Sequence, residues 1–507
     1  MVSVVNSAGL NCLEGYIVQV EADLSDGLPG MELVGYLGSE VKEARERVRM
    51  ALRNSGFMIP LRRITVNLSP ANIRKSGTGF DLAMAVSILQ SMGIIDEKST
   101  KGAVFFGELN LSGELCGISG VLPLVLCAQK AGFNKCFMPL VNVREGAVID
   151  GMEIYGSDTL SGVVRHLCGS EYLKKSERNT DYLSGLLYAE VYENDLKNVQ
   201  GQALAKRGLE IAAAGLHNVL LVGPPGAGKS MLSKCIPSIL PPLSEEECLE
   251  VSSIYSVAGK LSDNATLITK RPFVSPHHTI TDIALSGGGL HPRAGLIALA
   301  HKGVLFLDEM PEFKRSSLEM LRQPLEDKEI YIARNGGSFN YPADFMLVGA
   351  MNPCPCGNYP DMNKCHCSDV MRERYLSRIS GPLLDRIDIC IRADKIIPED
   401  LLNKKEEESS AAVRERVMAA TEIQRKRYKG LGISFNSRMN NSQTDEFCKL
   451  GKKEASLLTD YAVKNEISAR SYYRILKLSR TIADLAGSEN IKEEHILEAF
   501  RLKFNYK

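Results

Sequence analysis

The densest chemistry in the chain lies in eight consecutive residues, Gly223-Pro224-Pro225-Gly226-Ala227-Gly228-Lys229-Ser230. Apolar Leu220-Leu221-Val222 runs into them and a helical pattern follows from Met231, the strand–turn–helix setting that G-x-x-x-x-G-K-[ST] requires. Glycines at 223, 226 and 228 let backbone amides turn inward around phosphate oxygens, and the helix N-terminus adds the positive end of its dipole. In such a loop Lys229 reaches the β- and γ-phosphates and the Ser230 hydroxyl ligates magnesium. The expected cofactors are therefore ATP and magnesium. Val199 and Gly201, upstream of the loop, are assigned to the same nucleotide site.

A second motif completes the reaction. Val304-Leu305-Phe306-Leu307 reads as a buried strand with Asp308-Glu309 at its carboxyl end, where α/β sheets place ligands. Asp308 would hold magnesium through water, and Glu309 would polarise the attacking water as general base. Alone, an acidic pair after a strand is often a helix cap. After a phosphate loop the catalytic reading prevails. A further strand, Phe345 to Met351, ends in Asn352, a polar side chain able to orient the same water.

Four cysteines fall within fourteen residues, as Cys354-Pro355-Cys356 and Cys365-His366-Cys367 with eight residues between the pairs. Four thiolates closing on one zinc ion would staple a loop that has no core of its own. The C-x-C spacing is tighter than the usual knuckle, and His366 could replace one sulfur. A redox pair and plain buried thiols are the alternatives. Other cysteines, such as Cys127, Cys136 and Cys235, stand singly among apolar neighbours and read as small core residues.

The elements that must position these groups separate by texture. At 507 residues the chain exceeds one ordinary domain. Residues 1–168 alternate short strands (Ile64 to Leu68, Ala103 to Phe106) with helical patches such as Phe80 to Leu89. A polar linker over 169–191 precedes a parallel α/β core over 192–395, and a helical domain over 396–507 follows. The charged stretch Lys404 to Lys429 reads as a solvated helix with i,i+4 pairs. No basic region precedes an apolar stretch at the N-terminus and no apolar run nears bilayer length, so a cytoplasmic, non-membrane protein is expected. The 61 basic and 61 acidic side chains balance, which gives no overall pull towards nucleic acid but permits a local basic channel.

The order of the motifs, phosphate loop, Asp-Glu strand, Asn352 strand and then Leu383-Leu384-Asp385-Arg386-Ile387-Asp388, resembles the AAA+ superfamily in its magnesium-chelatase and MCM-helicase branch. The resemblance implies that Arg386 reaches the γ-phosphate of a neighbouring subunit, with Arg378 the second candidate. It also implies that Arg470, in Ser468-Ala469-Arg470-Ser471-Tyr472-Tyr473-Arg474, senses nucleotide from the helical domain. Pro276-His277-His278-Thr279, Ser286-Gly287-Gly288-Gly289, Met351-Asn352-Pro353-Cys354-Pro355-Cys356-Gly357 and Ser479-Arg480-Thr481-Ile482-Ala483-Asp484-Leu485 narrow it to the ComM/YifB family of magnesium-chelatase-like proteins. That family implies a Lon-protease-like (ribosomal S5-type) α+β N-terminal domain, an AAA+ P-loop core and an α-helical lid. It implies a hexameric DNA motor that drives branch migration when transforming DNA recombines, with recombinase or competence proteins as partners.

In that branch a hairpin before the Asn352 strand projects into a central channel. Glu329 to Phe339 reads as a hairpin in its own right, because Asn335-Gly336 between β-type runs is a strong turn signal. Arg334 is then a candidate contact to DNA, with Arg293 and Lys302 weaker ones. In the Lon-like domain, Lys75-Ser76-Gly77-Thr78-Gly79-Phe80-Asp81 and Gly120-Val121-Leu122-Pro123 resemble the serine and lysine segments, with Gly79 and Leu122 at the catalytic positions. Without nucleophile or base no Ser-Lys chemistry is expected, although a register shifted by three would bring in Ser76. Two further readings stand beside the DNA motor: a chelatase-like ATPase that remodels a protein partner without DNA, and an ATP-regulated Lon-like protease.

Overall fold

The computed structural model describes residues 2–178, 180, 192–261, 267–289, 293–334, 337–395 and 406–503. They form two units, Met1–Tyr188 with Glu245–Thr269, and Ala189–Ser244 with Lys270–Lys507.

The first unit is a seven-stranded mixed sheet in the order Gly30–Val34, Arg63–Ser69, Glu14–Ser25, Ser3–Asn11, Ala103–Phe105, Lys135–Pro139, Glu153–Ser157. Glu14–Ser25 runs antiparallel to both of its neighbours, and the remaining pairs are parallel. Its Val18, Val20 and Ala22 are buried in alternation, as a strand with one face on a core demands. Helix Asp81–Ser91 supplies that core and is buried from Asp81 to Leu89. Beside it, helix Ser39–Asn54 buries Val41, Ala44, Val48, Ala51 and Leu52, one stripe at helical spacing. The segment Glu245–Thr269, which the sequence reading left inside the α/β core, packs with this first unit. Its helix Glu245–Val257 contacts helix Val121–Lys130. The Ser256 hydroxyl donates to Glu145, whose carboxylate also accepts the Leu122 amide at 2.8 Å.

The second unit centres on a five-stranded, all-parallel sheet ordered Phe273–Val274, Val304–Leu307, Met346–Met351, Val219–Val222, Ile389–Arg392. Val219–Val222, Val304–Leu307 and Met346–Met351 are buried at every position, because helices cover both faces of such a sheet. The register pairs Val222 with Met351, and Leu307 with Gly349. Gly223, Asp308 and Asn352 thus leave the sheet at the same carboxyl edge. The fold class is as expected: mixed α/β, with a parallel phosphate-loop sheet and a helical C-terminal region.

Helix Ser410–Arg427 corrects the expectation of a solvated helix. It buries Val413, Val417, Ala420, Thr421 and Gln424, and the Gln424 amide donates to the Ala214 carbonyl at 2.9 Å. The dense charges around that stripe hid it. Helix Ala469–Leu485 explains the Ser479–Leu485 string in the same structural terms. Asp484, fully buried, accepts from Arg427 at 2.8 Å, Asn436 at 2.8 Å and Arg480 at 3.1 Å, while Thr481 meets His217 at 2.8 Å. Those contacts satisfy buried charges and tie the helical region to the sheet. Among the described residues no helix is long and apolar enough to cross a membrane.

Candidate functional site

The strand Val219–Val222 delivers the chain into the loop, and Gly226 and Gly228 take φ of +78° and +79°, where a side chain would be strained. A Cβ at Gly223 would lie 2.2 Å from the Ala393 carbonyl oxygen, so this first glycine is required by close backbone approach. The loop then enters helix Lys229–Ile239. A cleft of about 390 Å³ opens over it, lined by the loop with Met231, Asp308, Glu309, Met351 and Asn352.

Within that cleft the Lys229 ammonium donates to the Gly223 and Pro224 carbonyls at 2.6 and 2.9 Å and to Asn352 Oδ1 at 3.1 Å. Burial lowers its pKa, and the Asp308 and Glu309 carboxylates oppose that shift. The Ser230 hydroxyl donates to Asp308 Oδ2 at 2.7 Å. A hydroxyl and a carboxylate so joined are the oxygen donors a magnesium ion takes alongside phosphate and water. Glu309 sits in the left-handed region at φ +49°, its side chain exposed, 3.8 Å from His278 Nδ1. Lys229, Ser230, Asp308, Glu309 and Asn352, drawn from three separate stretches of sequence, therefore meet in one place.

Val199 is buried and its carbonyl accepts from Lys206 Nζ at 2.5 Å, while the Gly201 amide donates to Glu407 at 2.7 Å. Neither lines the cleft among the described residues. The intervening connection is Gln202, which sequence reasoning missed. Its amide nitrogen donates to the Ala227 carbonyl at 3.1 Å and the Asp394 carbonyl at 2.5 Å, tying the upstream segment to the phosphate loop.

The arginines gather elsewhere. Arg386 is only 6% exposed, held by the Pro382 carbonyl at 2.7 Å and by one oxygen of Glu326. Arg470 donates to the other Glu326 oxygen at 2.8 Å. Two residues expected to read phosphate thus share one carboxylate, and Glu326 carried no sequence signal. Arg378 is half exposed and pairs with Glu312 at 2.8 Å. Arg474 bonds the buried Asp388 at 2.6 Å and, against the effect of burial, holds that carboxyl well below the usual range.

Of the candidate DNA contacts, Arg293 is exposed beside a short hairpin pairing Gly288 with Arg293. Lys302 lies 3.4 Å from Asp344, which Arg438 also reaches at 2.7 Å. Arg334 ends strand Glu329–Arg334, opposite Gly337 of the antiparallel strand Gly337–Pro342. The Arg334 side chain and the turn residues Asn335 and Gly336 lie outside the described residues.

The four cysteines come together. Their sulfurs all lie within 4.8 Å of one another. Cys354 and Cys356 are each 3.7 Å from Cys365, and 3.3 Å from one another. A tetrahedron of sulfurs about 2.3 Å from zinc has edges of about 3.8 Å, so the set fits one ion. Each sulfur also accepts a backbone N–H: Cys354 from Tyr359 at 3.4 Å, Cys356 from Asn358, Cys365 from Cys367, and Cys367 from Cys356. The Asn358 amide, first among its hydrogen-bond donors, pulls the Cys356 thiol down to about 6, whereas at Cys365 and Cys367 burial and the neighbouring sulfurs outweigh the backbone donor and push the thiol up. His366 is exposed and is not part of the sulfur group.

In the first unit, Gly79 accepts the Gly107 amide at 3.0 Å, and a Cβ there would meet only Ile118 at 3.4 Å. Leu122 is fully buried, and Ser76 is exposed. Nearby polar groups bond one another: Arg47 grips Asp81 at 2.7 and 3.1 Å, and Thr78 donates to Glu108.

Comparison with known proteins agrees along the length of the chain. Family models described as magnesium chelatase subunit ChlI match residues 20–142 and 195–401, and one for the ChlI C-terminal region matches 407–503. Competence protein ComM of Haemophilus influenzae is 42% identical over 486 residues, covering 95% of this chain and 94% of that protein. The uncharacterized protein YifB of Escherichia coli is 41% identical over 488 residues, 95% and 93% of the two chains. A Lon protease of Finegoldia magna is 27% identical over 156 residues, 29% of this chain and 20% of that one.

Proposed function

The chain belongs to the ComM/YifB family of magnesium-chelatase-like AAA+ proteins, and on that premise we propose that it is an ATP-driven DNA motor promoting branch migration during recombination. The observation that carries the ATPase half is the meeting of Lys229, Ser230, Asp308 and Asn352 at the carboxyl edge of one parallel sheet.

In this reading the loop amides and Lys229 bind the β- and γ-phosphates, the ammonium exchanging its hold on the Gly223 and Pro224 carbonyls for phosphate oxygens. Ser230 and Asp308 would hold magnesium, which supplies positive charge beside the phosphates when bound. Glu309 takes a proton from the attacking water while Asn352 orients it. Arg386 of an adjacent copy, released from Glu326, stabilises the γ-phosphate charge as it redistributes, and Arg470 reports nucleotide to the helical domain. A trans-acting arginine makes the working form an oligomer, and family resemblance points to a homo-hexamer. Cys354, Cys356, Cys365 and Cys367 hold one zinc ion as a structural staple.

The DNA half rests on the family's competence member and on the hairpin Glu329–Pro342, whose Arg334 would contact phosphate. The test is a branch-migration assay on a labelled three-strand junction with ATP. Strand exchange by the wild type, lost in Glu309→Gln, supports the proposal. ATP turnover without strand exchange on any junction would sink it in favour of a chelatase-like remodeller. The balanced net charge and the ion-paired Lys302 are the observations that favour that second reading.

A further inference from the structure

The cysteine loop does more than close on itself. Gly357 follows Cys356 directly and takes φ of +79°. A Cβ built there would lie 2.5 Å from Pro225 Cδ and 2.8 Å from Pro225 Cγ, so the loop's backbone presses on the phosphate loop. The same point lies 3.8 Å from Asn352 Cγ, the side chain that accepts from Lys229. The backbone N–H of Asn352, not its side chain, faces the buried Tyr375 hydroxyl, on helix Asp369–Leu376, which follows the second cysteine pair. The sulfur cluster is therefore spliced between the end of the Asn352 strand and that helix, with its tip against Pro225.

Apart from short turn hydrogen bonds, such as Gly357 N–H to the Cys354 carbonyl at 3.0 Å and Cys365 N–H to the Asp361 carbonyl at 2.8 Å, the tip has little to hold it. From Pro353 to Ser368 only Cys354, Gly357 and Cys365 are buried, and the residues between Gly357 and Cys365 are largely exposed. A loop without an apolar core takes its shape from whatever joins its sulfurs. Tyr359 stacks under the half-buried Arg372 guanidinium at 4.0 Å, two residues beyond Gly357.

We propose that the thiolate-bound ion forms part of the nucleotide site: with the ion in place, Gly357 buttresses Pro225 and Asn352, and without it the phosphate loop loses its preorganised shape. The protein would then bind nucleotide more tightly when the four sulfurs are loaded. This rests on the reading of Gly223–Ser230 as the nucleotide site. It extends that reading by making the cysteine loop a positioning element for phosphate binding.

The test uses the full-length protein, with divalent-metal content by mass spectrometry and affinity for a fluorescent ATP analogue by titration. Wild type is compared as loaded with zinc, stripped by chelator and returned to magnesium buffer, and reloaded with zinc. Circular dichroism reports whether the fold persists. The expected result is one zinc per chain, with affinity roughly ten- to a hundredfold weaker when stripped, the scale on which displacement of a preorganised site costs binding. Reloading restores it. Gly357→Ala supplies a second measurement should stripping unfold the chain: it keeps all four sulfurs, should keep the zinc, and should still bind nucleotide more weakly. Equal affinity in folded stripped and loaded protein overturns the proposal. So does a zinc-loaded Gly357→Ala with wild-type affinity, or the absence of zinc from protein with four free thiols. Loaded wild type that fails to bind nucleotide, indistinguishable from Lys229→Ala, would instead overturn the site reading beneath it.

Discussion

Both units carry the same local device, a glycine-bearing turn that runs straight into a buried helix, yet only one turns its polar groups onto an open cleft. In the second unit the turn Gly223–Gly228 opens on a cleft, and Lys229, Ser230, Asp308 and Asn352 point into it. In the first unit the turn Gly77–Phe80 leads into helix Asp81–Ser91, and its polar groups are consumed by the fold. Asp81 is buried under Arg47 and the Leu109 amide, and Thr78 is spent on Glu108. The glycines differ in the same sense. Gly223 has no room for a side chain, whereas Gly79 has only Ile118 nearby, at ordinary contact distance. An active site of this type is marked by what surrounds the turn, and by whether the backbone or the chemistry demands each glycine.

The contrast can be broken at its strongest point first. Glu309→Gln should lower ATP turnover about 10²- to 10³-fold while nucleotide titration shows binding retained. Thr78→Ala in the first unit should leave turnover unchanged. Comparable losses from both substitutions would erase the distinction. The next effect is on stability. Asp81→Ala strands the largely buried Arg47 and should cost about 3 kcal/mol in denaturant unfolding. A cost under about 1 kcal/mol would show the pair to be dispensable.

The glycines give a paired test of intermediate size. Gly223→Ala should abolish nucleotide binding or lower it at least about a hundredfold, since a methyl group cannot coexist with the Ala393 carbonyl without moving the loop. Gly79→Ala should change stability by less than about 1 kcal/mol, because its backbone is not in the left-handed region. The smallest effect is one of pH. Burial raises the Asp81 carboxyl to about 6, with Arg47 opposing the shift. The folded state therefore binds this proton more tightly than the unfolded chain, whose carboxyl titrates near 3.8. That contribution is fully present below about 4 and is lost as pH rises through about 6. Unfolding of wild type relative to Asp81→Asn, followed from pH 4 to 7, should show the difference shrinking across that window. A difference flat with pH would contradict it.

Much of the second unit was legible because its chemistry is local. The Gly223–Ser230 spacing, the apolar run ending in Asp308 and the strand ending in Asn352 each name their own element, and parallel strands align their carboxyl ends. The residues that escaped act across sequence distance. Glu326, which holds Arg386 and Arg470, looks like any surface acid on a short helix. Gln202, which fastens Ala227 and Asp394, is a lone amide at a left-handed turn. Helix Ser410–Arg427 misled because its buried stripe lies within a run of charges. The assignment of Glu245–Thr269 to the first unit was hidden for a similar reason. Nothing in its composition separates it from the helices on either side, and only packing reveals where it belongs.

The most direct test of the DNA-motor account is the steady-state rate of ATP hydrolysis with no DNA, with single-stranded DNA and with forked DNA, using Glu309→Gln as the blank. The account expects DNA to raise the rate, and Arg334→Ala to remove that increase while leaving basal turnover intact. A rate indifferent to every DNA tested would contradict it, and the protein would then be a remodeller of a protein partner.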